Sequence, residues 1–363
     1  MTGECPQPDP AMTPVEDYGS LRRELRKRMP AEAFRPRPLR GVVALVLTLL
    51  GIGIVWVIAR GGLPWWACLS LSFVLGQMVA TVSLTAHEAM HHSVFRNKVL
   101  ERLVASIGFA PLLLTPGTWS AWHAQHHSST NVHVKDPDIL PTQSEWKSQR
   151  FARFVYTFSL GSRSWASHLN LILFFTVQTQ LYLWYYPRLP QFRHLRFHKI
   201  RERVLTGLIV LGWGALGWAL GARGAFYGLL LPHLFASVTL VQYFATNHFL
   251  QPASAETDNP FVNTASLDTH PLLDWMHLNF SYHQEHHIFP AMSSRFAPLL
   301  RKTLREINPE ASIVYPHLRA LRALYARPPL YAEGGQTFVA PEGASGVAAD
   351  DLRRMLESTG SQP

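Results

Sequence analysis

Four long apolar stretches, each without a single Asp, Glu, Lys or Arg, constrain this chain more than any other feature. They cover residues 41–59, 63–86, 204–222 and 225–245. A helix needs about 20 residues to cross the hydrocarbon core of a bilayer, and each stretch is close to that length. Three residues separate the first two stretches and two separate the last two. We therefore expect two tight transmembrane hairpins.

The composition excludes several other classes of protein. A hydrophobic fraction of 47% with 16% charged residues is too apolar for a disordered chain. Two cysteines, Cys5 and Cys68, cannot build a disulfide framework or a thiolate metal site. A net charge of +9 together with long apolar runs indicates a membrane surface and lipids as partners, and no nucleic acid.

The distribution of Lys and Arg predicts the topology. Residues 1–40 carry eight and residues 188–203 carry six, whereas each hairpin loop carries one. Positive loops stay in the cytoplasm, so both termini and the central region are expected there. Two further apolar stretches, 103–122 and 164–187, contain prolines or polar residues. A crossing by either would put the basic or histidine-rich segments on opposite sides, so we predict re-entrant or interfacial helices.

The same patterns divide the chain into three parts. Residues 1–40 are expected to be a basic cytoplasmic segment, and 41–327 a membrane domain. After about residue 333 the sequence is rich in Gly, Ala, Ser and Glu. We expect residues 328–363 to form a flexible tail.

Histidine is concentrated in three short windows: HEAMHH at 87–92, HAQHH at 123–127 and HQEHH at 283–287. They hold nine of the eighteen histidines. Their spacing of three or four residues places imidazoles on one face of a helix. Such imidazoles suit iron, zinc, copper or nickel.

The number of these histidines exceeds what one ion accepts, so we predict a pair of metal ions. The topology brings all three windows to one face of the membrane. The expected fold is an all-α integral membrane protein. Its four transmembrane helices in two hairpins are capped by a cytoplasmic helical region that holds a histidine-ligated dinuclear site.

The windows and their surroundings resemble the membrane fatty acid desaturases, the histidine-box di-iron enzymes. The matching motifs are HEAMHH, WHAQHHSSTN followed by DPD at 136–138, and NFSYHQEHHIFP ending at Pro290. The resemblance covers roughly residues 40–325. It implies a di-iron centre, with iron as Fe2+ or Fe3+ and O2 as co-substrate, that removes two hydrogens from adjacent carbons of an acyl chain. The iron ligands and catalytic residues that it implies are His87, His91, His92, His123, His126, His127, His283, His286 and His287.

Two parts of this ligand set carry alternatives. The first window can offer His87 with either His91 or His92, and the other histidine of that adjacent pair could lie outside the ligand set. In stearoyl desaturases of this superfamily, a further histidine near a water-bound asparagine follows the fourth span. Asn247 and His248 stand in that place and are implied as additional metal ligands; an interfacial histidine is the alternative.

Other residues near the windows are candidates for supporting roles. A carboxylate can accept the far ring N–H of a metal-binding histidine and fix its tautomer. The candidates for this role are Glu88, Asp136, Asp138 and Glu285. The alternative is that each is a solvated carboxylate or a helix cap. The candidates for lining an apolar tunnel for the acyl chain are Trp119, Trp122 and Phe280. The alternative is that these aromatic residues are anchors at the membrane interface.

The electron donor is expected to be a separate protein. The sequence has no HPGG haem motif and no cysteine cluster. The resemblance therefore implies docking of a ferredoxin or a cytochrome-b-type protein. The basic segments 22–40 and 188–203 would attract an acidic donor, although anionic lipid explains the same charges.

The preferred function is an O2-dependent membrane fatty acid desaturase, acting on a fatty acyl lipid or thioester at a bacterial plasma membrane. The nearest alternative is a di-iron hydroxylase or ketolase of a carotenoid, sphingolipid or other lipid, because both reactions begin with the same hydrogen abstraction. A metal transporter would place polar ligands at mid-membrane. The four apolar stretches contain almost no ionisable residue, which disfavours that class.

Overall fold

The computed structural model describes residues 18–254, 259–343 and 346–357, which are mostly helical. Cys5 and the first 17 residues of the predicted N-terminal segment lie outside these ranges. Among the described residues, three helical runs are long and apolar enough to cross a membrane. They are α2 (Pro38–Arg60), α3 (Trp65–Met90) and a run from Lys199 to His248.

The helices α2 and α3 correspond to the first predicted hairpin. Gly61 and Gly62 join them with φ of 85° and 84°, a left-handed conformation that glycine adopts without a steric cost. Only 11% of the most apolar window of α2 is buried. Most of its apolar surface therefore faces outward, as a lipid environment requires. The helix α3 continues beyond the predicted end at residue 86 into the first histidine window.

The second predicted hairpin lies within the long run. This run consists of α9 (Lys199–Arg223), a π-helical segment (Gly224–Leu230) and α10 (Leu231–His248). A straight helix of 50 residues would be about 75 Å long, against about 30 Å of hydrocarbon core. The run is broken at Gly221, which has φ 67° and ψ 174°.

The chain folds back at this break. A Cβ placed on Gly217 would lie 3.9 Å from Leu229 Cδ1, whereas a straight helix would separate the two positions by about 18 Å. The reversal is therefore at Gly221 and not at the predicted loop of Arg223 and Gly224. Arg223 instead donates hydrogen bonds to the Leu63 carbonyl and to Cys68 Sγ, next to the first hairpin.

The stretch 103–122 is sharply bent. The helix α4 (Lys98–Phe109) and a 3-10 turn (Ala110–Leu112) meet α5 (Pro116–Ser128) at 88°. Leu113 in the connection has a left-handed φ of 55°. The other ambiguous stretch forms α8 (Ser167–Gln180) and a π-helical turn (Leu181–Tyr185).

Short elements make up the rest of the fold. The helices are α1 (Tyr18–Arg28), α6 (Gln143–Ser148), α7 (Arg150–Phe158), α11 (Pro260–Asn263), α12 (Pro271–Met276), α13 (His283–Ile288), α14 (Ala297–Ile307) and α15 (His317–Ala326). The 3-10 turns are Ala31–Phe34, Tyr186–Arg188, Pro190–Phe192, Ser294–Phe296 and Pro309–Ala311. Strands β1 (Ser266–Asp268) and β2 (Val314–Pro316) pair in parallel. In the sequence, β1 precedes the third histidine window and β2 follows it.

The described part of the predicted tail is folded, so the expectation of flexibility is wrong there. The strands β3 (Leu330–Tyr331), β4 (Thr337–Val339) and β5 (Gly346–Ala348) form an antiparallel sheet, followed by α16 (Ala349–Glu357). Few apolar residues are present, but they are buried together in one core. The strands also show that the fold is not entirely α-helical.

The basic N-terminal segment also belongs to the folded body. Leu21 and Leu25 on α1 are buried in a core with Ile288 and Leu300. Arg22 Nε donates a 3.0 Å hydrogen bond to the Ile288 carbonyl at the end of α13. Helix α1 therefore supports the element that carries the third histidine window.

The packed C-terminal sheet makes a testable prediction about stability. Phe338 is fully buried, so Phe338→Ala should destabilise the protein by about 3–5 kcal/mol, as Phe→Ala changes in cores do. Leu318→Ala, at a position 71% exposed, is the matched control and should have little effect. Thermal unfolding of the two purified variants measures the difference. Equal melting temperatures would contradict a structural role for the C-terminal sheet.

Candidate metal centre

The first histidine window ends α3 in a way that separates its histidines. His87 lies in the last turn and His91 is the C-cap. The next residue, His92, has φ 62°, and its N–H bonds the Ala89 carbonyl while the Ser93 N–H bonds the Glu88 carbonyl. These two bonds form a Schellman motif, whose left-handed position is usually glycine. The chain therefore turns away immediately after His91.

The turn removes His92 from the other histidines. Its side chain is 67% exposed, and its Nδ1 lies 2.9 Å from the buried carboxylate of Glu101. The structure thus places His91, and not His92, beside the other histidines. The expectation of His92 as a ligand is not supported.

The second window lies on α5. His123 and His127 face the first window, whereas His126 faces the opposite side of the site, toward His248. His126 Nδ1 lies 3.0 Å from Asp136 Oδ1, which itself accepts the backbone N–H of Asp138. Because Nδ1 of His126 is engaged with a carboxylate, its Nε2 is directed into the site.

The third window lies on α13, a helix of only six residues, and Gln284 and Glu285 between its histidines fix it in place. Gln284 and Glu285 are fully buried. The Gln284 amide makes three backbone hydrogen bonds, to the carbonyls of Pro260 and Ala311 and from the N–H of Ile313. The carboxylate of Glu285 accepts from Ser266 Oγ at 2.5 Å and from Arg301 Nε at 3.0 Å. With this face anchored, the three histidines face the other windows.

Asn247 and His248 are the last two residues of α10, and both are buried. His248 Nε2 lies 2.8 Å from His283 Nε2. Among the described residues, neither amide atom of Asn247 has a hydrogen-bond partner. A buried amide without partners costs roughly 1–3 kcal/mol, which favours a ligand or a water at this position.

The structure brings nine of the eleven predicted metal ligands together, all of them histidines, and leaves out His92; Asn247 is buried next to His248 in the chain. One ring nitrogen from each member of a five-histidine group lies within 4.8 Å of the others: His87, His91, His123, His127 and His286. A three-histidine group has the same property: His126, His248 and His287. The groups are adjacent, since the rings of His127 and His287 stack with centroids 4.2 Å apart.

Hydrogen bonds alone do not account for the five-histidine group. The Nε2 atoms of His91, His123, His127 and His286 follow one another at 3.0, 2.9 and 3.1 Å. Each ring nitrogen offers either one N–H or one in-plane lone pair, so four nitrogens in a row can make only two good bonds. Two nitrogens about 2.1 Å from one metal ion and at right angles to each other are also about 3.0 Å apart. The donor set therefore fits a metal ion.

Burial keeps these imidazoles neutral. Burial lowers the pKa of His283, His286 and His287 well below the usual value, and the neighbouring imidazoles lower it further. Burial and His92 lower the pKa of His91 to about 3. The neutral ring is the form that binds metal.

The four carboxylates beside the windows have different roles. Asp136 contacts His126 as expected, and one oxygen of Asp138 lies 3.6 Å from the same nitrogen. Glu88 instead pairs with Arg40 and accepts the Ser294 N–H, and Glu285 pairs with Arg301. Of the two glutamates, neither contacts an imidazole in the described residues; both fix the backbone that carries the histidines.

A cavity of about 100 Å³, here the metal-side cavity, adjoins both histidine groups. Trp119 and Phe280 line it as expected, and Trp119 also stacks on His123 with centroids 4.1 Å apart. Trp122 packs elsewhere, against Tyr182. Tyr182 and Gln178 also line this cavity, and their only signal in the sequence was two polar groups four residues apart in an apolar stretch.

Comparison with known proteins identifies the family. A family model described as fatty acid desaturase matches residues 63–319, a range that contains all three histidine windows. The chain belongs to the fatty acid desaturase family. Members of this family are oxidoreductases.

Individual relatives are distant. The chain is 22% identical over 285 residues to the chloroplastic omega-6 fatty acid desaturase of Arabidopsis thaliana, covering 75% of this chain and 60% of the relative. For the enzyme of that name from Spinacia oleracea, identity is 24% over 307 residues, covering 81% and 65%. An sn-1 acyl-lipid omega-3 desaturase (ferredoxin) of Nostoc sp. is 26% identical over 143 residues, covering 38% and 40%. The chain thus spans less than two thirds of the length of these relatives.

The helix end at His91 predicts different roles for two adjacent histidines. His91→Ala should lower the metal content of the purified protein, because it removes a nitrogen from the five-histidine group. His92→Gly should keep the wild-type metal content, since the ring lies outside the group and glycine suits the φ of 62°. Elemental analysis of both variants tests this. An equal loss of metal in the two would contradict the structure.

The neutral imidazoles predict a pH dependence of stability. The pKa values of His283, His286 and His287 are lowered in the folded state, whereas unfolded histidine titrates near 6.5. The unfolded chain therefore binds more protons below that pH. The stability contribution is complete above about pH 6.5 and is lost as the pH falls. The melting temperature of metal-free protein should drop between pH 7.5 and 5.

A matched variant separates this effect from that of carboxylates. His286→Asn removes one of the titrating rings, so its melting temperature should fall less steeply over the same pH range. Parallel profiles for wild type and variant would show that the windows do not set the acid sensitivity.

Proposed function

We propose that this protein is an O2-dependent membrane desaturase that introduces a double bond into a fatty acyl chain. The observation that carries the proposal is the arrangement of two adjacent histidine groups beside an apolar cavity. Family membership supports the same reaction class. The proposed metal ligands are the nine clustered histidines above together with Asn247, bound directly or through water.

The reaction is a four-electron reduction of O2. Two electrons come from two C–H bonds of adjacent methylenes and two from an external donor, and with two protons the products are an alkene and two water molecules. When bound, two iron ions would supply the oxidising power needed to remove hydrogen from an unactivated methylene. The protein's part is to hold the chain and exclude water.

The residues of this site are suited to those tasks. Phe109, Leu240, Phe244 and Phe280 give the metal-side cavity an apolar wall that favours a hydrocarbon chain and disfavours water. Asp136 holds the Nδ1 side of His126 and thereby orients its ring. The neutral imidazoles offer lone pairs without prior loss of a proton.

We further propose four transmembrane spans, with both termini and the site on the cytoplasmic side of a bacterial plasma membrane. The reversal at Gly221 supports a division of the long run into two spans. The excess of Lys and Arg in residues 1–40 and 188–203 supports the orientation.

The proposed electron donor is an acidic ferredoxin or a cytochrome-b-type protein. The name of the Nostoc relative contains ferredoxin. In this chain, the basic segment 188–203 contacts the helix of the second window, since His194 Nε2 lies 2.9 Å from Gln125 Oε1. Gln125 precedes His126, so a donor bound to this exposed segment would be close to the metal centre.

The substrate class is a fatty acyl lipid or thioester, and its product is the test. We expect total fatty acids from a bacterial host expressing this chain, supplied with ferredoxin and its reductase, to contain an acyl species lighter by two hydrogens. His286→Ala should abolish that species. His270→Asn should retain it, because His270 is exposed and asparagine also caps α12. Mass spectrometry of the three strains measures this.

Other products would change the assignment. A species heavier by one oxygen would indicate a hydroxylase. An unchanged profile from metal-loaded protein with its donor present would contradict an acyl substrate.

A further inference from the structure

Residues 249–254, here the α10 connector, directly follow the proposed ligand His248. They lie against residues 327–343, here the C-terminal clamp, which include the strands β3 and β4. The clamp begins beyond residue 319, where the match to the family model ends. Gln251 of the connector and Tyr331 of the clamp are 80 residues apart in the sequence, yet a hydrogen bond joins them.

Side chains of the clamp bind the backbone of the connector. Arg327 Nη2 donates to the Phe249 carbonyl, and the Tyr331 hydroxyl donates to the Gln251 carbonyl at 2.8 Å. Two more hydrogen bonds join the Ala253 N–H to the Gly335 carbonyl at 2.9 Å and Gln336 Nε2 to the Ala253 carbonyl at 3.0 Å. The connector is therefore held along most of its length.

Arg327 is a buried cation, only 3% exposed. Its hydrogen-bond partners in the described part of the chain are the carbonyls of Phe249 and Pro328, and not carboxylates. Burial lowers the pKa of Arg327 to about 10, so the side chain is still charged at neutral pH. A buried charge without a counter-ion is costly, and the partial negative charge at the C-terminus of α10 offsets that cost. The position of Arg327 therefore depends on the end of α10.

The end of α10 is in turn held by donors from outside the helix. The last carbonyls of a helix have no partner within it. The Asn247 carbonyl accepts the Ala265 N–H at 3.0 Å. The His248 carbonyl accepts from Asn131 Nδ2 at 3.1 Å, and the next carbonyl accepts from Arg327. These bonds fix the backbone from which the His248 ring projects.

The clamp also holds the loop that follows the second histidine window. The Tyr331 N–H donates to the Pro141 carbonyl at 3.0 Å. The connector binds the same loop, since the Ser254 N–H donates to the Asn131 carbonyl at 2.8 Å. This loop contains Asp136, the carboxylate that adjoins His126. The clamp therefore supports two members of the three-histidine group.

The five-histidine group is less dependent on the clamp. Among the described residues, no hydrogen bond joins residues 327–343 to α3, which carries His87 and ends at His91. The three-histidine group, in contrast, includes His248 at the end of α10 and His126 beside the supported loop. A change in the clamp should therefore affect one histidine group more than the other.

We propose that the C-terminal clamp positions the three-histidine group and thereby determines how tightly one of the two metal ions binds, with Arg327 as the positioning residue at the end of α10. This inference rests on the proposed function, since it assumes a metal ion at each histidine group. Arg327 acts through the backbone that carries His248. Its role does not require contact with the metal or the substrate.

A cobalt titration tests the proposal without turnover. The probe is Co2+, which suits imidazole ligands, added to purified full-length protein in detergent after its metal has been removed. Visible absorption measures binding, and the wild type should bind two ions per chain. Arg327→Met should bind one ion as the wild type does and the other about tenfold or more weakly, as changes behind metal ligands do. Unchanged affinities, or equal weakening of both sites, would overturn the proposal.

Two control variants separate positioning from general stability. Arg327→Lys keeps a charged donor for the Phe249 carbonyl and should recover most of the lost affinity. Ile58→Ala creates a cavity in the separate core beside Cys68 and Leu75, so it should lower the melting temperature and leave both Co2+ affinities unchanged. Selective weakening in Ile58→Ala would overturn the proposal, because the effect would then follow from lost stability alone.

A milder variant keeps the test valid if Arg327→Met folds poorly. Tyr331→Phe removes only the hydroxyl that donates to the Gln251 carbonyl, so it should weaken the same Co2+ site by a smaller factor. Unchanged affinity in Tyr331→Phe would then overturn the proposal.

The affected site is identified with His248→Ala, which removes a nitrogen from the three-histidine group. Arg327→Met added to His248→Ala should cause no further loss of Co2+ binding, because both changes act on the same site. A further loss at the remaining site would contradict the assignment.

The outcome is separable from that of the proposed function. Desaturated product in the host, with two Co2+ sites that Arg327→Met leaves unchanged, would refute the clamp and leave the desaturase assignment intact. Selective weakening of one Co2+ site without any desaturated product would support the clamp and refute the reaction. Fewer than two Co2+ ions bound to the wild type would refute the dinuclear centre and the clamp together.

Discussion

Buried imidazoles that face one another through nitrogen lone pairs need a cation between them, and the rest of this structure depends on that requirement. Nitrogens of the five-histidine group approach each other at about 3 Å without enough donors for a hydrogen bond at each contact. Burial also prevents the rings from gaining protons to relieve the conflict. Such packing is costly without metal and favourable with it.

The surrounding residues make this packing possible by fixing the backbone. Ordinary hydrogen bonds anchor the residues between the histidines, as the buried amide of Gln284 shows. Ion pairs connect distant segments to the same helices: Arg40 with Glu88, and Arg301 with Glu285. The side chains that are not ligands therefore determine which face of each helix the ligands occupy.

The sequence predicted the features that follow from periodicity and length. The histidine windows predicted that their imidazoles gather at one place, with the exception of His92, and the long apolar stretches predicted the helices, to within a few residues at each end. Features that depend on backbone geometry were not accessible. No glycine marks the helix end at His92, so its left-handed conformation and exposed ring had no signal in the sequence. The C-terminal sheet was missed because it depends on a few apolar residues, such as Phe338, in a polar context.

Metal ligation would also keep in place helices that are too short to be stable alone. An isolated helix of 13 or six residues, the lengths of α5 and α13, is marginal or unstable in water. The long helices α3 and α10 belong to different hairpins, and each ends on proposed ligands, His87 and His248. Because α5 and α13 supply the remaining nitrogens, ligation would join both hairpins and both short helices at a single point. Stability and reactivity would thus depend on the same atoms.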